Sequence, residues 1–391
     1  MFFLVILGLF LLGDGICWFS LHRILQQAGA PLGWRIALDL FMFFQIAGLS
    51  GLVLSRFWEP ALALQSLWGK TGLSLILLWH FLVMLPLGVG LAISACLPSP
   101  AAAFSPGPGF AGLNRRQFLA LLGTGAAPLA TFALTGISLY QLRRFSIRRL
   151  TVDVPGLPAE LEGMTIAHLS DIHVGQLTHG PVLDDMVHAF NELDADLGAV
   201  TGDLINYDLD DLPRALEVIQ GLRAKQGVFV CEGNHDLLEN AAEFERRARE
   251  IEGPGHRFLL NESATTQVGG HPVQVLGVRW TGQYDGGIQM QMHALPPLEP
   301  GAFPLLLAHH PHAFETAEAM GIPLVLAGHT HGGQLMLTDE LGCGPMFFRY
   351  WSGLYRRAKG SLVVSNGTGN WFPLRVHAPA EILHLTLRRA A

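Results

Sequence analysis

Charge is scarce in this sequence. Only 15% of its 391 residues are Asp, Glu, Lys or Arg, and the 32 acidic residues outnumber the 25 basic ones. Binding a nucleic-acid backbone requires a strongly basic face, so no nucleic-acid partner is expected. Cysteine is rare too. Cys17, Cys96, Cys231 and Cys343 form no disulfide framework, and their apolar surroundings mark them as small buried hydrophobes. Histidine is nearly missing from the first 150 residues, where only His22 and His80 of the 17 are found. Metal-ligand chemistry is therefore expected in the later part of the chain.

The sequence is rich in apolar residues. They make up 50% of it, and mean hydropathy is +0.35, unusual for a wholly soluble protein. Three runs, at 2–21, 36–55 and 73–97, reach the roughly 20 residues a bilayer span needs. Asp14 and Asp39 interrupt them and should face other helices, because a carboxylate is costly in hydrocarbon. With several such runs, the region is more than a removable signal peptide. Residues 98–113 read as a linker, with Pro98, Pro100, Pro106 and Pro108 opposing helix. In 114–149, Asn114-Arg115-Arg116-Gln117-Phe118-Leu119 resembles a twin-arginine export signal and leads into a fourth hydrophobic segment. Arg143, Arg144, Arg148 and Arg149 would favour a cytoplasmic domain by the positive-inside rule. The twin-arginine resemblance favours the other side. The expectation is a multi-pass cell-membrane protein with residues 150–391 as an extracytoplasmic domain.

From residue 150 onward one pattern recurs. A short apolar run ends, and metal-ligand residues follow at once. Run 164–170 leads into Asp171-Ile172-His173, and 197–201 into Gly202-Asp203. Run 227–232 leads into Gly233-Asn234-His235-Asp236, 303–308 into His309-His310-Pro311, and 322–327 into Gly328-His329-Thr330-His331. Such runs fit buried strands, with helices expected between them at 182–193, 212–222 and 241–251. Strands alternating with helices indicate α/β architecture, whose ligands gather beyond the carboxyl ends of the strands. The clusters are therefore expected on one edge. Carboxylate, imidazole and amide oxygen suit divalent manganese, iron or zinc. Two ions about 3.5–4 Å apart need a bridging carboxylate, terminal ligands and an open face. Only two of the proposed ligands are acidic, so a loaded site stays net positive and suits an anionic phosphate ester.

In this order, Asp-x-His, Gly-Asp, Gly-Asn-His-Asp, a lone His and Gly-His-x-His resemble the calcineurin-like metallophosphoesterase superfamily. Gly332-Gly333-Gln334, Ser352-Gly353-Leu354-Tyr355, Val364-Ser365-Asn366-Gly367-Thr368-Gly369 and Pro373-Leu374-Arg375 are similar to its membrane-anchored branch, as is the closing strand at 381–387. The resemblance implies a four-layer α/β/β/α sandwich, here preceded by an all-α transmembrane region of three to four helices. It implies two divalent metal ions. Asp171, His173 and His331 would hold the first, Asn234, His309 and His329 the second, with Asp203 bridging. It implies a phosphodiesterase or phosphomonoesterase in which a bridging hydroxide attacks phosphorus in line. His235 would be the general acid. Membrane anchoring suggests a lipid-linked or envelope phosphoester, with the lipid bilayer as the other partner. The contrasting expectation is a catalytically inactive membrane sensor or scaffold, whose mark would be a missing ligand.

Some positions stay open at this stage. His309 and His310 point opposite ways at a strand end. The family pattern puts the ligand at 309, leaving His310 behind it or facing substrate. Members often show Gly-Asp-x-x-Asp, whereas here Asn206 holds the last position, with Asp236 or Asp208 as substitutes in supporting His235. His168 and the remaining histidines read as surface or satisfied core residues. Arg279, Arg349, Arg356, Arg357 and Arg375 read as exposed, with phosphate contact as the alternative. The stretch 280–300 reads as a flap.

Overall fold

The computed structural model describes residues 2–27, 29–54, 67–84, 87, 126–253, 255–280, 286–336, 338–373 and 375–390. They fall into two compact units, Met1–Leu139 and Tyr140–Ala391.

Where described, the first unit is helical, as its long runs rich in Leu, Ile and Phe dictate. Its helices are Phe2–Gln27, Leu32–Leu54, Leu67–Leu78 continued by a π-helical Trp79–Met84, and Ala127–Gln141. Among the described residues, two 20-residue windows, Leu7–Gln26 and Leu32–Gly51, are long and apolar enough to cross a membrane. Only 17% and 22% of these windows is buried, whereas the core helix of a soluble protein is mostly covered. The count is thus two, against the three to four expected. The third run is helical from Leu67 to Met84, and apart from Leu87 its remainder lies outside the described residues. So do the linker and the Arg115-Arg116 pair. Ala127–Gln141 has 15 residues, short of the roughly 20 that a span takes. Both acids find partners on neighbouring helices. Asp14 accepts from Trp79 Nε1 at 2.8 Å and meets His80 Nε2 at 2.8 Å. Asp39 accepts from Trp18 Nε1 at 2.7 Å and meets His22 Nδ1 at 3.2 Å.

The second unit contains two six-stranded sheets. The first holds β1 (Ser146–Val154), β2 (Thr165–Leu169), β3 (Leu197–Thr201), β4 (Val228–Cys231), β5 (His256–Phe258) and β12 (Glu381–Arg389), ordered β1-β12-β2-β3-β4-β5. The second holds β6 (Glu262–Val268), β7 (His271–Gly277), β8 (Phe303–Leu307), β9 (Leu324–Ala327), β10 (Gly353–Arg357) and β11 (Gly360–Val364), ordered β10-β11-β9-β8-β7-β6. β2 to β5 run parallel, as do β7, β8, β9 and β11.

The apolar runs are continuous because these strands are covered on both faces. Ile166, Leu197, Ala199 and Phe229 of the first sheet meet Val275, Leu305, Leu307 and Leu326 of the second in a shared core. Their neighbours Ala167, Leu169, Val200 and Val230 face helices Pro181–Asn191, Leu212–Gly221 and Ala241–Ala248. On the far side, Leu276, Leu306 and Val325 are covered by Gly286–His293 and Ala313–Ala319. The layers run helix, sheet, sheet, helix. Part of the expected flap is packed rather than free, since Ile288 and Met292 of Gly286–His293 are buried. Residues 281–285 of that stretch lie outside the described residues.

Candidate metal centre

The ligand-bearing loops leave the carboxyl ends of β2, β3 and β4 in one sheet and of β8 and β9 in the other. They converge because the sheets are stacked face to face, so the shared edge belongs to two sheets, not one. Each loop must turn back sharply. Asp171, His173, Asp203, His329 and His331 all have positive φ, at 52°, 49°, 53°, 71° and 48°. That conformation costs a non-glycine residue roughly 1–2 kcal/mol, and such strain gathers at functional sites. Glycine is required beside them. A Cβ on Gly328 would lie 1.9 Å from Ser170 Oγ and 2.2 Å from Asp171 Oδ2.

All seven expected ligands come together in two sets. In one, His173 Nε2 and His331 Nε2 are 3.0 Å apart, and Asp171 Oδ1 lies 3.3 Å from His331 Nε2. In the other, Asn234 Oδ1, His309 Nε2 and His329 Nδ1 form a triangle with sides of 3.0, 2.8 and 3.2 Å. Asp203 Oδ2 stands between the sets, 3.5 Å from His173 Nε2 and 3.3 Å from His309 Nε2. Two nitrogens each about 2.0–2.1 Å from one ion, at a right angle, stand about 3 Å apart. The donor atoms here have that spacing, so the residues fit divalent ions.

The electrostatics agree. Burial raises Asp171 to about 6 and lowers His329 to about 3, and it pushes His173 and His331 well below the usual imidazole range. Neutral imidazole is the ligand form. Asp203 and His309 are the charged pair. Burial opposes both charges, but their mutual attraction and hydrogen bond prevail, holding Asp203 far below the usual carboxylate range and lifting His309 to about 9. A divalent cation would take over the compensation that the His309 proton gives Asp203.

His235 flanks the first set, its ring 4.7 Å from that of His173. Its Nδ1 donates to the Asn206 backbone carbonyl, and its backbone N–H donates to Asp203 Oδ1 at 2.8 Å. The side chain of Asn206 is therefore not the support, and neither acid substitutes. Both oxygens of Asp236 are taken by the N–H groups of Leu204, Ile205 and Gly233, so it braces the Asp203 loop against the Asn234 loop. Asp208 accepts from Asp210 N–H. His310 lies behind the second set, its ring tilted by 41° and 4.8 Å from that of His329. Tryptophans wall the site. Trp280 is 5.1 Å from His329, and Trp371, 44% exposed, is 6.2 Å from His235.

Arg375 departs most from expectation. It is 2% exposed, and Nη2 donates to His331 Nδ1 at 2.8 Å, while other donors reach the carbonyls of Asn366, Gly369 and Ala378. An arginine only donates, so His331 Nδ1 accepts here and a neutral ring carries its proton on Nε2; ligating an ion through Nε2 would require that proton to move to Nδ1 and this hydrogen bond to give way. No periodicity marks such a residue. Its only sequence signal is its place in Pro373-Leu374-Arg375.

Residues 164–333 match the calcineurin-like phosphoesterase family. A transmembrane protein with metallophosphoesterase domain from Danio rerio is 28% identical over 421 aligned positions, covering 100% of this chain and 89% of that protein. An uncharacterized metallophosphoesterase of Bacillus subtilis is 30% identical over 125 residues, 32% of this chain and 45% of its own length. A UDP-2,3-diacylglucosamine pyrophosphatase of Chlamydia trachomatis is 31% identical over 91 residues, 23% of this chain and 28% of that protein. Residues 164–333, whose Asp and His clusters could hold metal, thus form a calcineurin-like metallophosphoesterase domain, of a family that implies a phosphoester hydrolase, and the chain has relatives named as transmembrane proteins.

Proposed function

We propose that residues 150–391 hydrolyse a phosphodiester or phosphomonoester at a dinuclear metal centre. Asp171, His173 and His331 would hold one ion, Asn234, His309 and His329 the other, with Asp203 shared. The observation that carries this reading is the position of Asp203 Oδ2 between two converging sets of donor atoms. Two divalent ions, manganese, iron or zinc, supply when bound a nucleophilic water for in-line attack and neutralise charge at phosphorus. The protein's own groups do the rest. Ionised Asp203 holds the two donor sets together. His235, anchored through Nδ1 to the Asn206 carbonyl, presents Nε2 to deliver a proton to the leaving oxygen. Trp280 and Trp371 bound the substrate on either side.

A lipid-linked or envelope phosphoester is the substrate class we favour. The membrane-length helices support it, as does the diacylated compound in the Chlamydia relative's name. In this reading the chain is a multi-pass membrane protein. Helices in 1–97, a linker at 98–113 and the twin-arginine-like 114–149 precede the hydrolase, which lies outside the cytoplasm. An inactive sensor or scaffold has no observation in its favour, because a donor atom is present at each ligand position.

The test assays the full chain in detergent with each metal in turn, on a chromogenic phosphodiester and on lipid-linked phosphoesters. Asp203→Ala and Asn234→Ala should each abolish metal-dependent hydrolysis. Activity surviving both substitutions would sink the site assignment. A reporter fused to the C-terminus decides the side of the membrane.

A further inference from the structure

We infer that His168, Thr201 and Ser170 form a buried, one-way hydrogen-bond chain that positions one ligand of each ion. Asp171 is held through the Thr201 hydroxyl and His309 through the Thr201 carbonyl. This rests on the dinuclear reading above.

The direction of the chain follows from counting donors. His309 Nδ1 lies 2.7 Å from the Thr201 carbonyl oxygen, which can only accept. One ring proton is therefore on Nδ1, and the proton that pairs with Asp203 is the one on Nε2, which a bound ion would replace. With that carbonyl engaged, the Ser170 hydroxyl, 3.2 Å from it, donates instead to Asp171 Oδ2 at 2.5 Å, the closer and ionisable acceptor. Ser170 Oγ is then free to accept from the Thr201 hydroxyl at 2.7 Å. The Thr201 oxygen in turn accepts from His168 Nε2 at 2.8 Å. Every member is 0% exposed, so water does not compete for these bonds.

His168 is the informative member. Its Nδ1 is buried without a hydrogen-bond partner. A leucine would fill this strand position and leave no orphan, so the imidazole is explained by its Nε2–H end. Burial pushes its pKa down to about 3, which keeps it neutral. At the other end, Asp171 also accepts from the backbone N–H of His329, 3.1 Å from both its oxygens. With Oδ2 tied to Ser170, Oδ1 turns toward His331. Gly328 closes tightly over the Ser170–Asp171 pair, so a chain in the first sheet also seats the histidine loop of the second.

These are positioning residues, and the test reads metal binding rather than turnover. The full chain in detergent is titrated with cobalt(II) by calorimetry, and its visible absorption is followed. Wild-type protein should bind two ions. His168→Leu and Thr201→Val should each weaken one ion about 10–100-fold and leave the other's spectrum unchanged, because the Thr201 carbonyl remains. His168→Gln keeps an N–H able to reach the same hydroxyl and should stay within about threefold of wild type, outside that range. Thr201→Val is isosteric and keeps the test open if His168→Leu misfolds. Wild-type protein binding fewer than two ions would remove the dinuclear reading and this inference with it. Two tight ions in both apolar variants, equal loss of both ions, or His168→Gln behaving like His168→Leu would overturn the chain while leaving the dinuclear reading intact.

Discussion

Arg375 combines a buried cation with five acceptors that have few alternatives: the carbonyls of Asn366, Gly369 and Ala378, Asn370 Oδ1, and His331 Nδ1. Burial lowers its pKa to about 10, so it stays charged at neutral pH. Replacing it with an apolar side chain of similar length strands those acceptors, each costing about 1–3 kcal/mol when left unpaired. Arg375→Met should therefore destabilise the protein by at least about 3 kcal/mol, read from denaturant unfolding. Normal stability in that variant would mean the guanidinium is dispensable. Sequence reading put Arg375 among exposed arginines, because nothing local distinguishes a buried guanidinium from a surface one. Asp236 shows the same limit: its proximity to His235 along the chain says nothing about which backbone groups its oxygens reach.

At the scale of elements, the strands that end in ligands were legible because each is apolar on both faces. β3 coincides with its apolar run, and β2, β4, β8 and β9 are shorter than theirs by one or two residues at an end. β1 was not legible. It carries Arg148 and Arg149, which read as membrane-flanking charges, and it starts at Ser146, ahead of the expected boundary at 150. It lies at the sheet edge, paired in parallel with β12, and Arg148 meets Glu381 at 3.6 Å. Edge strands tolerate charge, so their pattern is weak. Between strands, the turns are decided by close approach. Gly202, at φ +80°, would place a Cβ 2.6 Å from Gly233 N. Gly202→Ala should force apart the loops holding Asp203 and Asn234. We expect a loss of about 1–3 kcal/mol in stability and impaired binding of both ions, since Asp203 serves each. A wild-type melting curve with full metal content would show that the loops do not need this contact.

For the whole molecule, metal and stability are linked. One metal ion binding the folded state, present at 100 times its dissociation constant, adds about 2.7 kcal/mol. Chelation should abolish hydrolysis and lower the melting temperature of the catalytic unit, and divalent metal should restore both. Activity that persists after exhaustive chelation would exclude the proposed centre. The helical unit follows a different logic. Its two membrane-length helices leave most of their surface uncovered and pair their acids with side chains on neighbouring helices.

The sequence by itself determined the local features. It placed apolar runs long enough for a membrane, short buried strands, and a ligand at the end of each. These are written in hydrophobic periodicity and in residue type, which neighbours along the chain fully express. The family resemblance already implied two packed sheets, but only the tertiary structure decided which sheet carries each ligand, with β2, β3 and β4 in one and β8 and β9 in the other. It also decided that Arg375 is buried against His331, 44 residues away, and that His168 reaches across to Thr201, 33 residues away. Such hydrogen bonds depend on which distant groups packing leaves side by side, and no local pattern encodes that.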